Sequence, residues 1–281
     1  MDFQKYKYKK IVVLAALLLF ACFLYWLIGS SNGKNVILRF SVRSSAQEGW
    51  NWISNYRVDF QNPMVPAIIK MVNDRQCGGI TLVEMMVQGR WGKFSDHLYY
   101  PAYERLFSDW KSYKVSDSVK EAMNTPQEGY NKILPEAMYC DQIPVSEDFE
   151  NITFKNLGEE TGYDLTRKFW AASLFKKNGC ITQNYNIDEV ISSAAKKMAE
   201  AQELNEVVDD LYMERTAFLL GYGFRELVKE DWIRNIMDAQ DKTGAWLNPT
   251  FFDKNFKDAQ TSMMAIWALS EYVGYCPLST N

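Results

Sequence analysis

One histidine, His97, serves all 281 residues, so zinc sites built from two or three histidines cannot form within the chain. A Ser-His-Asp triad would have to use it, yet Ser95-Asp96-His97-Leu98-Tyr99-Tyr100 contains no nucleophile elbow. Phosphate loops are missing too: Gly78-Gly79 and Gly221-Tyr222-Gly223 neither follow a strand nor end in Lys-Ser/Thr. No charge of one sign is concentrated. The 31 basic and 35 acidic residues, net −4, are scattered along the chain, which argues against a phosphate-backbone surface and hence against nucleic acid as a partner. No metal and no cofactor is expected. Cysteine is sparse and no CxxC pair occurs; Cys22 lies in an apolar run, leaving Cys77, Cys140, Cys180 and Cys276 as an even set with three possible pairings or as free thiols.

What the chain has in quantity is apolar and aromatic side chains, 47% and 15% of residues, enough for a substantial core in one domain. Ile11 to Ile28 runs uncharged behind Lys5, Lys7, Lys9 and Lys10. That pattern predicts a transmembrane signal anchor over 11–29, with 1–10 cytoplasmic, 30–35 a linker and 36–281 an extracytoplasmic domain. The chain is thus expected to be a single-pass type II membrane protein facing the secretory lumen, cell surface or periplasm. Cleavage near Gly29-Ser30-Ser31 would make it secreted. The sequon Asn151-Ile152-Thr153 would be a glycosylation site in a eukaryotic host.

Val36 to Val42 reads as a brief strand or extended lead-in. From there, apolar residues at three- and four-residue spacing predict successive amphipathic helices. Leu165–Lys177, Ile187–Leu204, Leu211–Phe224, Trp232–Gln240 and Ala259–Tyr272 are the plainest, with further helices over Pro63–Asn73, Ile80–Gln88, Ala102–Tyr113 and Ser118–Met123. Pro126 to Ser146 reads as a loop. Apolar and polar helices alternate, as inner and outer helices would. The turn Gln240 to Trp246 has a counterpart in Gln88-Gly89-Arg90-Trp91, and Asn178-Gly179-Cys180-Ile181 holds an equivalent position. The expected fold is mainly α, with helix-pair repeats forming an α/α toroid or part of one; an irregular helical bundle is the alternative.

Gly162-Tyr163-Asp164-Leu165-Thr166-Arg167-Lys168-Phe169-Trp170-Ala171-Ala172 through Gly179-Cys180 resembles a helix signature of an uncharacterised secreted animal family, a thyroid-enriched chromosome-16 open-reading-frame family. Asp210 to Glu214, Gly221 to Phe224, Trp232-Ile233 and the Gln240 to Trp246 turn resemble the same family in order and spacing. Together they cover about a third of the chain. The resemblance implies a secreted or lumenal protein of no assigned activity. Where the family has Cys and His around Leu165-Thr166, this chain has Asp164 and Arg167. The same segments more distantly resemble terpene-cyclase-like and glycan-processing toroidal domains, some of them enzymes and others binders.

Candidate chemistry is acidic. Asp164, Glu214 and Asp258 stand near the starts of expected inner helices, and Glu84 is a fourth. Convergent carboxylates with Tyr163, Tyr212, Tyr222, Trp170, Trp246 and Trp267 nearby would form a funnel for sugars or cations, and two of them, suitably spaced, a general acid and base. Helix capping and core packing are the competing roles for these residues. The two expected functions are a membrane-tethered domain binding a protein or glycan, and a toroidal carbohydrate-active enzyme, hydrolase, lyase or epimerase.

Overall fold

The computed structural model describes residues 31–55, 105, 112–124, 129–247, 249 and 259–274. The described chain is mainly helical. Its α-helices, numbered in chain order, are α1 Ser31–Asn55, α2 Asp117–Asn124, α3 Tyr130–Tyr139, α4 Phe149–Thr153, α5 Gly162–Lys177, α6 Ile187–Glu203, α7 Asp210–Gly221, α8 Glu230–Asp238 and α9 Ala259–Val273. Short 3-10 turns at Leu157–Glu159 and Arg225–Leu227 join them.

The centre is the pair α7 and α9, which pack along each other. Ten of the twelve residues of α7 are buried, as are eleven of the fifteen of α9. Helices that are covered all round must sit inside others. Around them, α1 lies on α9, α6 packs on both α5 and α7, α3 lies on α5, and α8 touches α9 and α1. Phe218 of α7 ties the layers together: its ring centroid is 5.6 Å from Trp170 of α5 and 5.6 Å from Trp267 of α9. Burying three such rings stabilises by several kcal/mol, about 1.5–3 for each fully covered large side chain. The alternation read in the sequence persists as α5, α7 and α9 inside and the amphipathic α6 and α8 outside, where α8 buries only Trp232, Ile233 and Ile236.

Helix ends follow local chemistry. Asp209 caps α7 by accepting from the Tyr212 amide at 2.9 Å, and Asn186 caps α6 by accepting from the Glu189 amide. α5 closes on Asn178 and then Gly179, whose φ of 72° favours a residue without Cβ.

Several expectations are corrected. Among the described residues no helix is long and apolar enough to cross a membrane. α1 is long enough but carries Arg39, Arg43 and Glu48, each costly in hydrocarbon. The anchor expected over 11–29, including Cys22, lies outside the described residues. The expected mainly α fold with an N-terminal membrane helix is corrected to a mainly α-helical one in which no described helix can span a membrane. The expected membrane partner, type II topology, extracytoplasmic address and membrane-tethered function are corrected to the same extent: no described helix supplies the membrane span they require.

The linker over 30–35 and the strand over Val36 to Val42 are instead part of α1 from Ser31 onward. Its buried stripe, Leu38, Val42, Ala46, Trp50 and Ile53, has helical spacing, and burial of that stripe overrides the local β preference of Val36, Ile37 and Val42. The loop expected over Pro126 to Ser146 contains α3, with Pro135 inside it. Ile133, Leu134, Ala137, Met138 and Tyr139 are buried there, which outweighs the hydrogen bond proline removes. The helices expected over Pro63–Asn73 and Ile80–Gln88, and the Gln88–Trp91 turn, lie outside the described residues, as does most of Ala102–Tyr113.

A charged centre between α5 and α7

Tyr163, Thr166 and Arg167 share one face of α5 at i, i+3 and i+4, and Asp210 and Glu214 share one face of α7 at i and i+4. The two faces meet. Thr166 Oγ1 donates to Glu214 Oε1 at 2.5 Å, and Arg167 Nε lies 3.6 Å from the same oxygen. The Tyr163 hydroxyl donates to Asp210, and the Arg167 guanidinium carbon stands 5.6 Å from the Tyr163 ring centroid. Arg215, next along α7, is buried as well.

Electrostatics follow from burial. Glu214 is 1% exposed; loss of water raises its pKa, against the Arg167 charge and the Thr166 hydrogen bond, while Asp210 adds to the rise. Burial first, and then the Asp210 carboxylate that accepts its proton, push the Tyr163 phenol far above the ordinary tyrosine range. Burial draws Arg215 downward, opposed by the fields of Asp209 and Glu214. Arg167 is half-buried over the top, so the centre is layered, with Tyr163 and Arg167 outside and Glu214 beneath.

The structure thus joins two of the residues singled out from sequence, Tyr163 and Glu214. Asp164 is exposed on the first turn of α5. Glu84, Asp258 and His97 lie outside the described residues. Tyr212 faces α8 and α6, its hydroxyl accepting from Asn235 at 3.1 Å and its carbonyl from Gln202 at 3.1 Å. Trp246 is fully buried, donating from Nε1 to the Ile236 carbonyl at 2.6 Å. Trp170 and Trp267 are core residues, and Tyr222 packs edge-on to Phe169. Cys140 and Cys180 form a disulfide, while Cys77 and Cys276 lie outside the described residues. Asn151 is exposed on α4 and accepts from the Tyr185 hydroxyl, with Thr153 buried behind it.

Thr166, Arg167, Asp210 and Arg215 are the members that sequence reasoning did not select as site residues. The signal was present in Leu211-Tyr212-Met213-Glu214-Arg215-Thr216-Ala217-Phe218: adjacent opposite charges inside an apolar helix are rarely buried without partners. Among the described residues no group of three or more His, Cys, Asp and Glu side chains has the arrangement of a metal site.

Comparison with protein-family models, with curated proteins and with solved structures finds no match.

Proposed function

We propose that this domain is a non-catalytic helical scaffold, and that its charged centre fixes the packing of α5 on α7. The observation that carries this reading is the enclosure of Glu214. Its carboxylate is 1% exposed, and Thr166 and Arg167 both direct their polar atoms at it. A general acid or base must come within about 3 Å of the proton it moves, or act through one water. Glu214 meets that condition with its own chain.

The other described carboxylates at these helix starts serve the fold in the same way. Asp209 caps α7, Asp210 receives the Tyr163 hydroxyl, and Asp164 opens α5. Acidic side chains in the first turn of a helix are favoured by its dipole whatever the function. Buried polar networks of this kind specify one arrangement of helices when their members are satisfied.

Glu214→Gln keeps the shape of the side chain and removes its charge and acid-base chemistry. The experiment is to measure thermal unfolding of the variant and, in cells that require the chain, its ability to replace the wild type. A scaffold keeps that ability as long as it folds. A Gln variant as stable as the wild type that fails to replace it would return Glu214 to catalysis.

A further inference from the structure

Asn178-Gly179 ends α5 where two helix C-termini meet. Asn178 is the C-cap of α5, with φ −80° and ψ −3°. Its Nδ2 donates to the carbonyls of Ala137 and Met138, in the last turn of α3, at 2.9 Å each. The next two amides turn back on α5 in the paired bonds of a Schellman end, Gly179 donating to the Lys176 carbonyl at 2.9 Å and Cys180 to the Phe175 carbonyl at 3.2 Å. Cys180 is then joined to Cys140, the C-cap of α3.

Asparagine followed by glycine is the pair at which an open chain rearranges most readily, because glycine has no side chain to hinder its nitrogen. The Gly179 nitrogen attacks Asn178 Cγ, and its proton leaves with Nδ2 as ammonia, closing a five-membered succinimide. Water then opens the ring at either carbonyl and leaves aspartate or isoaspartate. The native junction withholds each requirement. The nucleophile is engaged with Lys176, the leaving nitrogen is held by two carbonyls, and the helical ψ turns the Gly179 nitrogen away from the Asn178 side chain. The disulfide fixes the residue that follows the pair.

Conversion would not be neutral. A carboxylate at position 178 cannot donate to Ala137 and Met138, and it would stand between the C-terminal ends of α3 and α5, the negative ends of both helix dipoles. Arg105, the cation on the Met138 carbonyl, is already paired with Asp141. Isoaspartate would also insert a methylene into the backbone at the cap. We infer that Asn178-Gly179 is a site of spontaneous covalent modification, closed by the α3–α5 junction and its disulfide, whose conversion once the junction opens keeps it from closing again. The inference does not rest on the scaffold reading, since a scaffold and an enzyme would both carry this junction.

The test is incubation of the full chain in mildly alkaline buffer in three states, oxidised, reduced without denaturant, and unfolded in urea, with peptide mapping of the deamidated fraction at Asn178. Asn32-Gly33, the other such pair in the sequence, calibrates the unfolded rate. Because it requires local opening, conversion at Asn178 should be at least about tenfold slower in the oxidised chain than in urea, and it should accelerate on reduction. A smaller protection, or a reduced chain that converts no faster than the oxidised one, overturns the inference. Asn178→Asp reproduces one product. Its thermal midpoint should lie below that of Asn178→Ala, which loses the same two bonds without adding a charge. An Asp variant as stable as the Ala variant overturns the claim that conversion holds the junction open, and the rates on the wild-type chain stand whether or not either variant folds.

Discussion

Ser45 of α1 and Gln240 after α8, 195 positions apart, bond to each other in both directions. The Ser45 hydroxyl donates to Gln240 Oε1 at 2.5 Å, and Gln240 Nε2 donates to the Ser45 carbonyl at 2.9 Å. The same amide nitrogen donates to the Gly244 carbonyl at 2.9 Å, so one side chain holds the 240–246 turn against the middle of α1. Gln240→Ala removes all three bonds and leaves the Ser45 hydroxyl without this acceptor and the Ser45 and Gly244 carbonyls without this donor. Each group so deprived costs about 1–3 kcal/mol. The urea midpoint of Gln240→Ala should fall by a corresponding amount with unchanged slope; an unaltered midpoint would show that α1 is held without this pair.

Gly244 lies in the same turn, closed by the Gln240 to Trp246 bridge and by Asp241 Oδ1 accepting from the Thr243 and Ala245 amides. Its φ is 90°, and a Cβ there would stand 2.5 Å from the Glu48 carbonyl oxygen of α1. Strain and backbone collision act together. Gly244→Ala should destabilise by at least about 1–3 kcal/mol, measurable as a lowered thermal midpoint. Gly179→Ala has a positive φ but open space around its Cβ, so it should cost less, and a reversal of that order would contradict the close approach of turn and helix.

These contacts show what could be read without coordinates. The helices α5 to α9 were legible, to within a few residues at their ends, because their apolar periodicity and their Asn, Asp and Gly boundaries agree. α1 was not legible as a helix at its start, since Val36, Ile37 and Val42 favour a strand locally and only the distant faces of α8 and α9 give the stripe a place to bury. α3 was hidden by Pro135 for the same reason. In the centre, Tyr163 and Glu214 were visible as residue types near helix starts. Their meeting with Thr166, Asp210 and Arg215 depends on the rotation of α5 against α7, which no local pattern records.

The disulfide between Cys140 and Cys180 joins the end of α3 to the loop after α5, across 40 residues of chain. Closing a loop of that length removes chain entropy from the unfolded state worth about 4 kcal/mol. Asn178 reinforces the same junction, with Nδ2 donating to the carbonyls of Ala137 and Met138 at 2.9 Å each. Reduction, or the double replacement Cys140→Ser with Cys180→Ser, should lower stability by no more than that figure and leave a helical fold by circular dichroism. Adding Asn178→Ala to the reduced form should then cost more than in the oxidised form, because the two links share one junction. Simple additivity in such a cycle would show that they act separately.

The pH dependence of Glu214 follows from its enclosure. Burial raises its folded-state pKa above that of the unfolded chain, with Arg167 and Thr166 opposing the rise without cancelling it. A group of that kind contributes stability in full below its unfolded pKa, about 4.3 for glutamate, and loses it as pH climbs through the raised folded value. Glu214→Gln removes this titration. The difference in unfolding midpoint, variant minus wild type, should therefore become more positive between about pH 4 and neutrality. A second variant separates charge from shape: Arg167→Met takes away the cation that favours ionised Glu214, so its midpoint should fall most where Glu214 is ionised and least in acid. If the Gln variant instead lost ground steadily as pH rose, ionised Glu214 would be a net stabiliser held by Arg167 and Thr166, and the enclosure would be overcompensated by its partners.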